Sequence, residues 1–292
     1  MIAVIMLDFP SREAYTFWME RGNDSPNRTE GPVVMTEETL RHGIKARQFG
    51  RKVYTFETID STNNCAKALA GCFAQEGTVV FAEHQSAGRG RLGRAWEANP
   101  NENLMFSVIL RPSLSPEAVN LLPLYAAVAV AAAVEKTTGL RVQCKWPNDL
   151  MIDGKKFAGI LLEGSLKQST VEYVVIGIGI NVNQMVFPSA LASKATSLRL
   201  SLGKEIDRPV LFREIMNSME QYHTTLAPSK FSAVVPLWTT RTQMLNRQIS
   251  IDQQGSVLSG VVRGISPEGG LVLSLPDREQ TLFAGDVTIL DS

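Results

Sequence analysis

The sequence predicts a mixed α/β domain followed by a small all-β domain. Between about residues 36 and 240, segments with helical spacing of apolar residues interleave with short β-rich runs. Within that stretch, residues 174–180 read Val-Val-Ile-Gly-Ile-Gly-Ile, an apolar strand interrupted by glycines. After residue 246 the pattern changes to short alternating strands separated by turn-forming clusters, as in a barrel or sandwich of roughly 45 residues. A chain of 292 residues is long enough for one substantial core with one or two small satellites.

Each element has a local reason. Ser11 can cap a short helix over 11–20 with Phe17 and Trp18 on its apolar side, and 21–32 read as a flexible linker. Thr36 caps the next helix, with Glu38 and Thr39 in its first turn and Gly43 near its end. A strand is expected at 53–56. Ser61 or Thr62 then caps a helix carrying Cys65, Leu69, Cys72 and Phe73 at helical spacing. Strands follow at 78–82 and 104–110, the second stopped by Pro112. Pro123 suits the first turn of an Ala-rich helix ending near Gly139. Strands at 142–145, 157–163 and 172–183 and helices at 210–226 and 231–240 complete the larger domain. The smaller one takes strands at 249–251, 256–265, 271–275 and 281–283.

Composition excludes several classes. Charge is balanced, with 29 basic and 29 acidic residues, so nothing pulls the whole chain toward nucleic acid or an anionic membrane. Cys65, Cys72 and Cys144 lack CxxC spacing and read as small buried hydrophobes in a reduced, cytoplasmic protein. His42, His84 and His223 lie too far apart for a zinc site. Residues 1–7 lack the basic flank and cleavage site of a signal peptide. The longest other apolar run, 121–134, is about 14 residues and too short to span a bilayer.

The chemistry concentrates in five segments. Residues 88–96 read Gly-Arg-Gly-Arg-Leu-Gly-Arg-Ala-Trp: glycines let a backbone approach a ligand, and arginines present forks suited to phosphate or carboxylate. The segment satisfies GxGxxG, but a dinucleotide site needs a helix to start within the glycines, and 97–103 are hostile to one. Residues 145–149, Lys-Trp-Pro-Asn-Asp, place Asn148 and Asp149 in a turn after Pro147, with Asp149 free to meet a cation or a hydroxyl. Of Lys155 and Lys156, alternation along a strand lets at most one enter a pocket. Residues 60–64, Asp-Ser-Thr-Asn-Asn, hold more polar groups than capping requires. Gly177 and Gly179 imply a close approach, with Asn181 and Asn183 at the strand end. Taken singly, a solvated basic loop, an Asn/Asp turn and a surface lysine would explain these features as well.

Together, in this order, GRGRxGRxW, KWPND, GKKxAGIL and GIGINVN with the upstream DSTN resemble the biotin protein ligases. The resemblance covers about residues 36–291. It implies an α/β (α+β) catalytic domain at 36–240, a mixed sheet with flanking helices, and an SH3-like β barrel at 246–291, after an N-terminal extension and linker at 1–34. It implies that biotin and ATP form biotinyl-5′-adenylate, with Mg2+, and that biotin passes to a lysine of the apo biotin carboxyl carrier protein of acetyl-CoA carboxylase. By the same resemblance, Arg89 and Arg91 face the adenylate phosphate and the biotin tail, Gly88 and Gly90 lie in the loop, and Lys156 bridges carboxyl and phosphate oxygens while Lys155 is solvated. Ser61, Thr62, Asn63 and Gln85 match positions around the biotin ring. Asn181 matches an adenine contact, and Asp149, beside Asn148, a group near magnesium or the incoming lysine. Arg94 supports the loop, and Trp96 walls the site or belongs to the core. Leu92 departs from relatives that carry arginine there. Some relatives also carry an N-terminal helix-turn-helix; with about 34 residues ahead of the ligase region, a complete DNA-binding domain is not expected, nor are nucleic-acid or membrane partners. A lipoate or octanoate ligase and a biotin-responsive repressor are the alternatives, and a homodimer is left open.

Overall fold

The computed structural model describes residues 35–167, 170–226, 228–253 and 255–290. The helix and linker expected at 11–20 and 21–32 lie outside the described residues. Thr36 caps α1 (Glu37–Arg41), its side chain accepting from Thr39 N. β1 (Val53–Ile59) pairs in parallel with β2 (Val79–Gln85) across the intervening helix α2 (Thr62–Gly71). β3 (Leu104–Leu110), β4 (Gln143–Lys145), β5 (Asp149–Ile152), β6 (Lys155–Lys167) and β7 (Thr170–Ile180) complete a seven-stranded mixed sheet in the order β1-β2-β3-β7-β6-β5-β4. The β2–β3, β3–β7, β7–β6, β6–β5 and β5–β4 pairs are antiparallel.

Alternation along the strands divides the core between the two faces of this sheet. On β2, Val79 and Phe81 face the larger apolar cluster, while Val80 and Ala82 face a smaller one formed with Cys65, Ala66 and Leu69 of α2. The larger face is covered by α3 (Leu122–Thr138) and α5 (Arg208–Leu226), with the short α4 (Leu198–Leu202) between β7 and α5. Phe212 of α5 sits edge-on to Phe81 and Phe106, and Tyr125 of α3 donates to Met219 O at 2.7 Å. Pro123 lies in the first turn of α3 and Gly139 closes it in the left-handed conformation, φ 74°. Together with a preceding 3-10 turn the helical stretch Ala118–Thr138 is 21 residues, longer than the apolar run suggests, and long and apolar enough to cross a membrane. Its most apolar window is 72% buried inside the protein, which accounts for the apolarity as that of a core helix.

The C-terminal part, after α6 (Val234–Thr239), is a second sheet of β8 (Gln248–Gln253), β9 (Ser256–Ile265), β10 (Leu271–Ser274), β11 (Glu279–Leu282) and β12 (Asp286–Ile289). All its pairs are antiparallel, in the order β11-β10-β9-β8-β12. Its inward residues Ile249, Ile251, Val262, Leu271 and Leu273 join the same apolar cluster as α3. Trp146 stitches the two parts, donating from Nε1 to Gly269 O at 3.1 Å.

Several local expectations are corrected. α2 ends at Gly71, so Cys72 is exposed and Phe73, at φ 62°, is 84% exposed instead of continuing the apolar stripe. Ser61 holds the N-cap position without a side-chain cap bond. The peptide between Trp146 and Pro147 is cis; Asn148 lies in the turn, but Asp149 already begins β5, opposite Lys145. The helix expected at 231–240 begins as a 3-10 segment, Pro228–Ala233. β5, β12 and α4 were not anticipated.

Candidate active site

The five segments meet in one cavity of about 720 Å3 against β6 and β7 in the middle of the main sheet, with residues of β12 on its rim. The loop 88–96 forms one wall as a narrow hairpin: Trp96 N donates to Gly88 O at 3.0 Å and Gly90 N to Arg94 O at 2.7 Å. Its tip is a single 3-10 turn, Arg91–Gly93, in which Leu92 (φ 56°) and Gly93 (φ 73°) are both left-handed. No helix starts there, so the loop lacks the helix N-terminus that a dinucleotide fingerprint requires. Leu92 is 55% exposed.

The arginines of the loop reach three different elements. Arg89 donates to Asn64 Oδ1 at 2.6 Å and lies 3.8 Å from Glu163. Arg91 reaches Asn148 Oδ1 and Gly285 O, each at 3.4 Å, and Arg94 pairs with Asp286. Burial pushes the Arg91 pKa down, opposed by the charges of Asp286 and Asp149.

The floor explains the strand glycines. A Cβ at Gly179 would stand 2.5 Å from Trp96 Cε2, and one at Gly159 would stand 3.1 Å from both Lys156 Nζ and Trp96 Cζ3. A Cβ at Gly177 would collide with the Asn63 carboxamide. Close approach at this strand is therefore made by protein side chains, and Trp96 walls the cavity while its Nε1 is buried without a hydrogen-bond partner. Lys156 lines the cavity, 2.5 Å from Asp149 Oδ1 and 5.7 Å from the Trp96 ring centroid; Lys155 is exposed and off the wall. The next segment is fastened to this strand, since Lys156 N donates to Lys194 O and Thr196 N to Lys156 O.

Another part of the wall carries uncharged polar groups, beside apolar residues such as Ile160, Leu161, Ile178 and Met244. Thr62 donates to Gln85 Oε1 from N at 2.8 Å and from Oγ1 at 3.1 Å, and Ser61 and Asn63 lie beside it. Asn148 Nδ2 donates to Ile160 O at 2.7 Å. Asn181, 5% exposed, donates from Nδ2 to Thr196 O at 3.1 Å and leaves its buried Oδ1 without a partner on the cavity. Of the residues singled out from the sequence, Gly88 lies behind the wall, where a Cβ would approach Trp96 O to 3.1 Å.

Sequence reading missed Ser107, Glu163, Lys67 and the C-terminal groups Gly285 and Asp286. Ser107 had a signal, as the one hydroxyl in the apolar run of β3, and it is fully buried against Thr62 and Asn63. The others belong to no motif.

A cavity lined by several cations, by uncharged polar and apolar groups and by an unpaired amide oxygen suits a small acid meeting a nucleotide. A model of the Biotin/lipoate A/B protein ligase family matches residues 55–181. The biotin–[acetyl-CoA-carboxylase] ligase of Paracoccus denitrificans is 33% identical over 235 residues, covering 78% of this chain and 96% of that one. The chain belongs to the biotin protein ligase family. A second biotin–[acetyl-CoA-carboxylase] ligase, from Mycobacterium tuberculosis, is 32% identical, covering 88% of this chain and 96% of its own length. The bifunctional ligase/repressor of Bacillus subtilis is 34% identical, covering 88% of this chain and 80% of that one. The biotin protein ligase of Aquifex aeolicus, solved in complex with biotin and ATP, superposes with a TM-score of 0.70 at 26% identity, over 83% of this chain and all of that one. As in other biotin protein ligases, the enzyme is a ligase whose fold joins a mixed α/β sheet to a small antiparallel one.

Proposed function

We propose that the enzyme condenses biotin with ATP in this cavity and passes the biotinyl group to a lysine of the apo biotin carboxyl carrier protein of acetyl-CoA carboxylase. The observation that supports this reading is the cavity itself, lined by the cations Arg89, Arg91 and Lys156 and by the uncharged polar groups Thr62, Asn63 and Gln85. A carboxylate and a triphosphate need cationic donors, and a cyclic urea needs neutral hydrogen-bonding partners, because a buried polar group left unmatched costs about 1 to 3 kcal/mol.

In the first step a biotin carboxylate oxygen attacks the α-phosphorus and pyrophosphate leaves. Arg89, Arg91 and Lys156 would hold the carboxyl and phosphate oxygens in line, so that positioning and charge stabilisation dominate. In the second step the carrier amine attacks the acyl carbonyl and AMP leaves. Asp149, ion-paired with Lys156, would receive the amine proton. Asn181 would present its unpaired Oδ1 to the exocyclic amine of adenine. Trp96 would cover the bound acid, with Ser61, Gly90, Asn148 and Arg94 supporting the wall. Asp149 and Asp286 both line the cavity, and one or two carboxylates with phosphate oxygens form a donor set that suits Mg2+, which would neutralise phosphate charge. We assign activation to residues 36–240 and closure of the cavity to 246–291. The free cysteines fit a cytoplasmic, reducing location.

The reading is tested with purified protein, ATP, magnesium and an apo carrier domain. Biotin should yield a streptavidin-reactive carrier, and octanoate or lipoate should yield no acylated carrier. Equal transfer of lipoate would overturn the assignment of the acid, and tight specific binding of biotin-operon DNA would add the repressor function to the ligase.

A further inference from the structure

Beneath the cavity, six side chains from four elements form an unbroken polar chain. Lys67 Nζ of α2 lies 2.8 Å from Glu163 Oε1 of β6, and Asn63 Nδ2 donates to Glu163 Oε2 at 2.7 Å. Ser107 Oγ of β3 lies 2.6 Å from Asn63 Oδ1 and 2.8 Å from Thr62 Oγ1, which lies 3.1 Å from Gln85 Oε1 of β2. Asn63, Thr62 and Gln85 stand on the cavity wall, whereas Lys67, Glu163 and Ser107 stand behind it. The two charged side chains are 12% and 16% exposed.

The chain has a direction. An ionised carboxylate only accepts, so Asn63 must turn Nδ2 toward Glu163 and Oδ1 away from it, over the Gly177 floor. Reversing the amide would bring two acceptors together with no proton between them. Asn63 Oδ1 also only accepts, so the single Ser107 proton goes to it and Thr62 supplies its own proton to Ser107 or Gln85. Burial would raise the Glu163 carboxyl, but hydrogen bonds from Lys67 and Asn63 and the Lys67 charge outweigh it and hold the group below the usual carboxylate range. Glu163 is thus ionised at neutral pH, and Lys67 compensates a charge that would be costly alone.

We propose that Lys67 and Glu163 are a positioning pair that fixes Asn63 with its carbonyl oxygen toward Ser107, and so leaves the Thr62 hydroxyl oxygen and the Gln85 carbonyl oxygen on the wall as acceptors for an acid whose ring carries N–H donors. The inference rests on the biotin-ligase reading. A cyclic urea offers such donors; a dithiolane or an alkyl chain offers none. Neither residue of the pair touches the acid; because Glu163 also lies 3.8 Å from Arg89, the Lys67 variants, which keep that carboxylate, separate the orientation of the amide from an effect on the arginine.

The test measures pyrophosphate release with biotin and with octanoate at varied acid and ATP. Glu163→Gln keeps the size of the side chain and removes the charge that forbids the reversed amide. The KM for biotin should rise by about tenfold, the factor expected when one hydrogen bond to a buried partner is lost. The KM for ATP and kcat should change by less than about threefold, as for lost ground-state binding. Preference for biotin over octanoate should narrow by the same factor as the biotin KM. Lys67→Met should act in the same direction, Lys67→Arg should restore the wild-type KM, and this pair reads the same quantity should Glu163→Gln fail to fold. If the wild-type enzyme releases no pyrophosphate with biotin, the functional reading fails first. If it does, and the biotin KM is unchanged in both variants, rises together with that for ATP, or is not restored by Lys67→Arg, the positioning role is overturned.

Discussion

Lys155 and Lys156 are adjacent in sequence, yet one is exposed and the other lines the cavity against Asp149 and Trp96. The two-residue period of a strand makes that separation legible without coordinates. Lys156→Ala and Arg89→Ala should each slow adenylate formation by about two to three orders of magnitude, the range for removing a donor aimed at developing charge. Lys155→Ala should leave the rate within about twofold, since a solvated lysine makes no such contact. Pyrophosphate release reads the rates and calorimetry checks that the melting temperatures agree; a larger loss from Lys155→Ala would reverse the assignment. The partners of Ser107 and Glu163 were not legible in this way. Their partner Asn63 lies 44 residues from the first and 100 from the second, and nothing local marks a lone polar residue in a strand as half of such a pair.

At the scale of elements, the approach to β1 is held by α5. Asn217 Oδ1 accepts from Lys45 N at 2.9 Å and Ala46 N at 3.0 Å. Glu220, three residues along the helix and so on the same face, accepts from Arg47 N at 2.6 Å, Gln48 N at 2.7 Å and Phe49 N at 3.1 Å. Five consecutive backbone donors outside any strand are thereby satisfied by two side chains. Burial would raise the Glu220 carboxyl, but the N–H groups of Gln48, Arg47 and Phe49 outweigh it, and its pKa lies below the ordinary value. A depressed carboxylate stabilises the fold in full above its unfolded pKa of about 4.3 and loses that contribution as pH falls through the folded value. Glu220→Gln should therefore cost about 1 to 2 kcal/mol at pH 7, allowing for solvent screening, and should flatten the fall in melting temperature below about pH 4.3. Thermal scans from neutral to acid pH that give parallel curves for the two proteins would contradict this.

At the scale of the whole molecule, the C-terminal sheet is a structural partner of the catalytic part. Its inward residues lie in the same apolar cluster as α3, Trp146 hydrogen-bonds across the junction, and the ion pair of Arg94 with Asp286 ties the arginine loop to β12. A shared core couples unfolding, because separating the parts exposes apolar surface of both. Calorimetry should accordingly show one cooperative transition for the described residues; two well-separated transitions would mean that the sheets are stabilised independently.

The sequence by itself determined the alternation that sorts β2 and β3 onto two faces, the caps at Thr36 and Gly139, and the motifs that surround the cavity. These follow from local stereochemistry and from residue types whose chemistry is explicit. Tertiary structure alone decided what closes that cavity and what holds its wall. The glycines of β7 admit Asn63 and Trp96, Asp286 meets Arg94 from 192 residues away, and Glu163 orients Asn63 from another strand. Such contacts depend on which strands become neighbours: β6 and β7 pair as a local hairpin, whereas β3 meets β7 only after the chain has passed through α3, β4, β5 and β6.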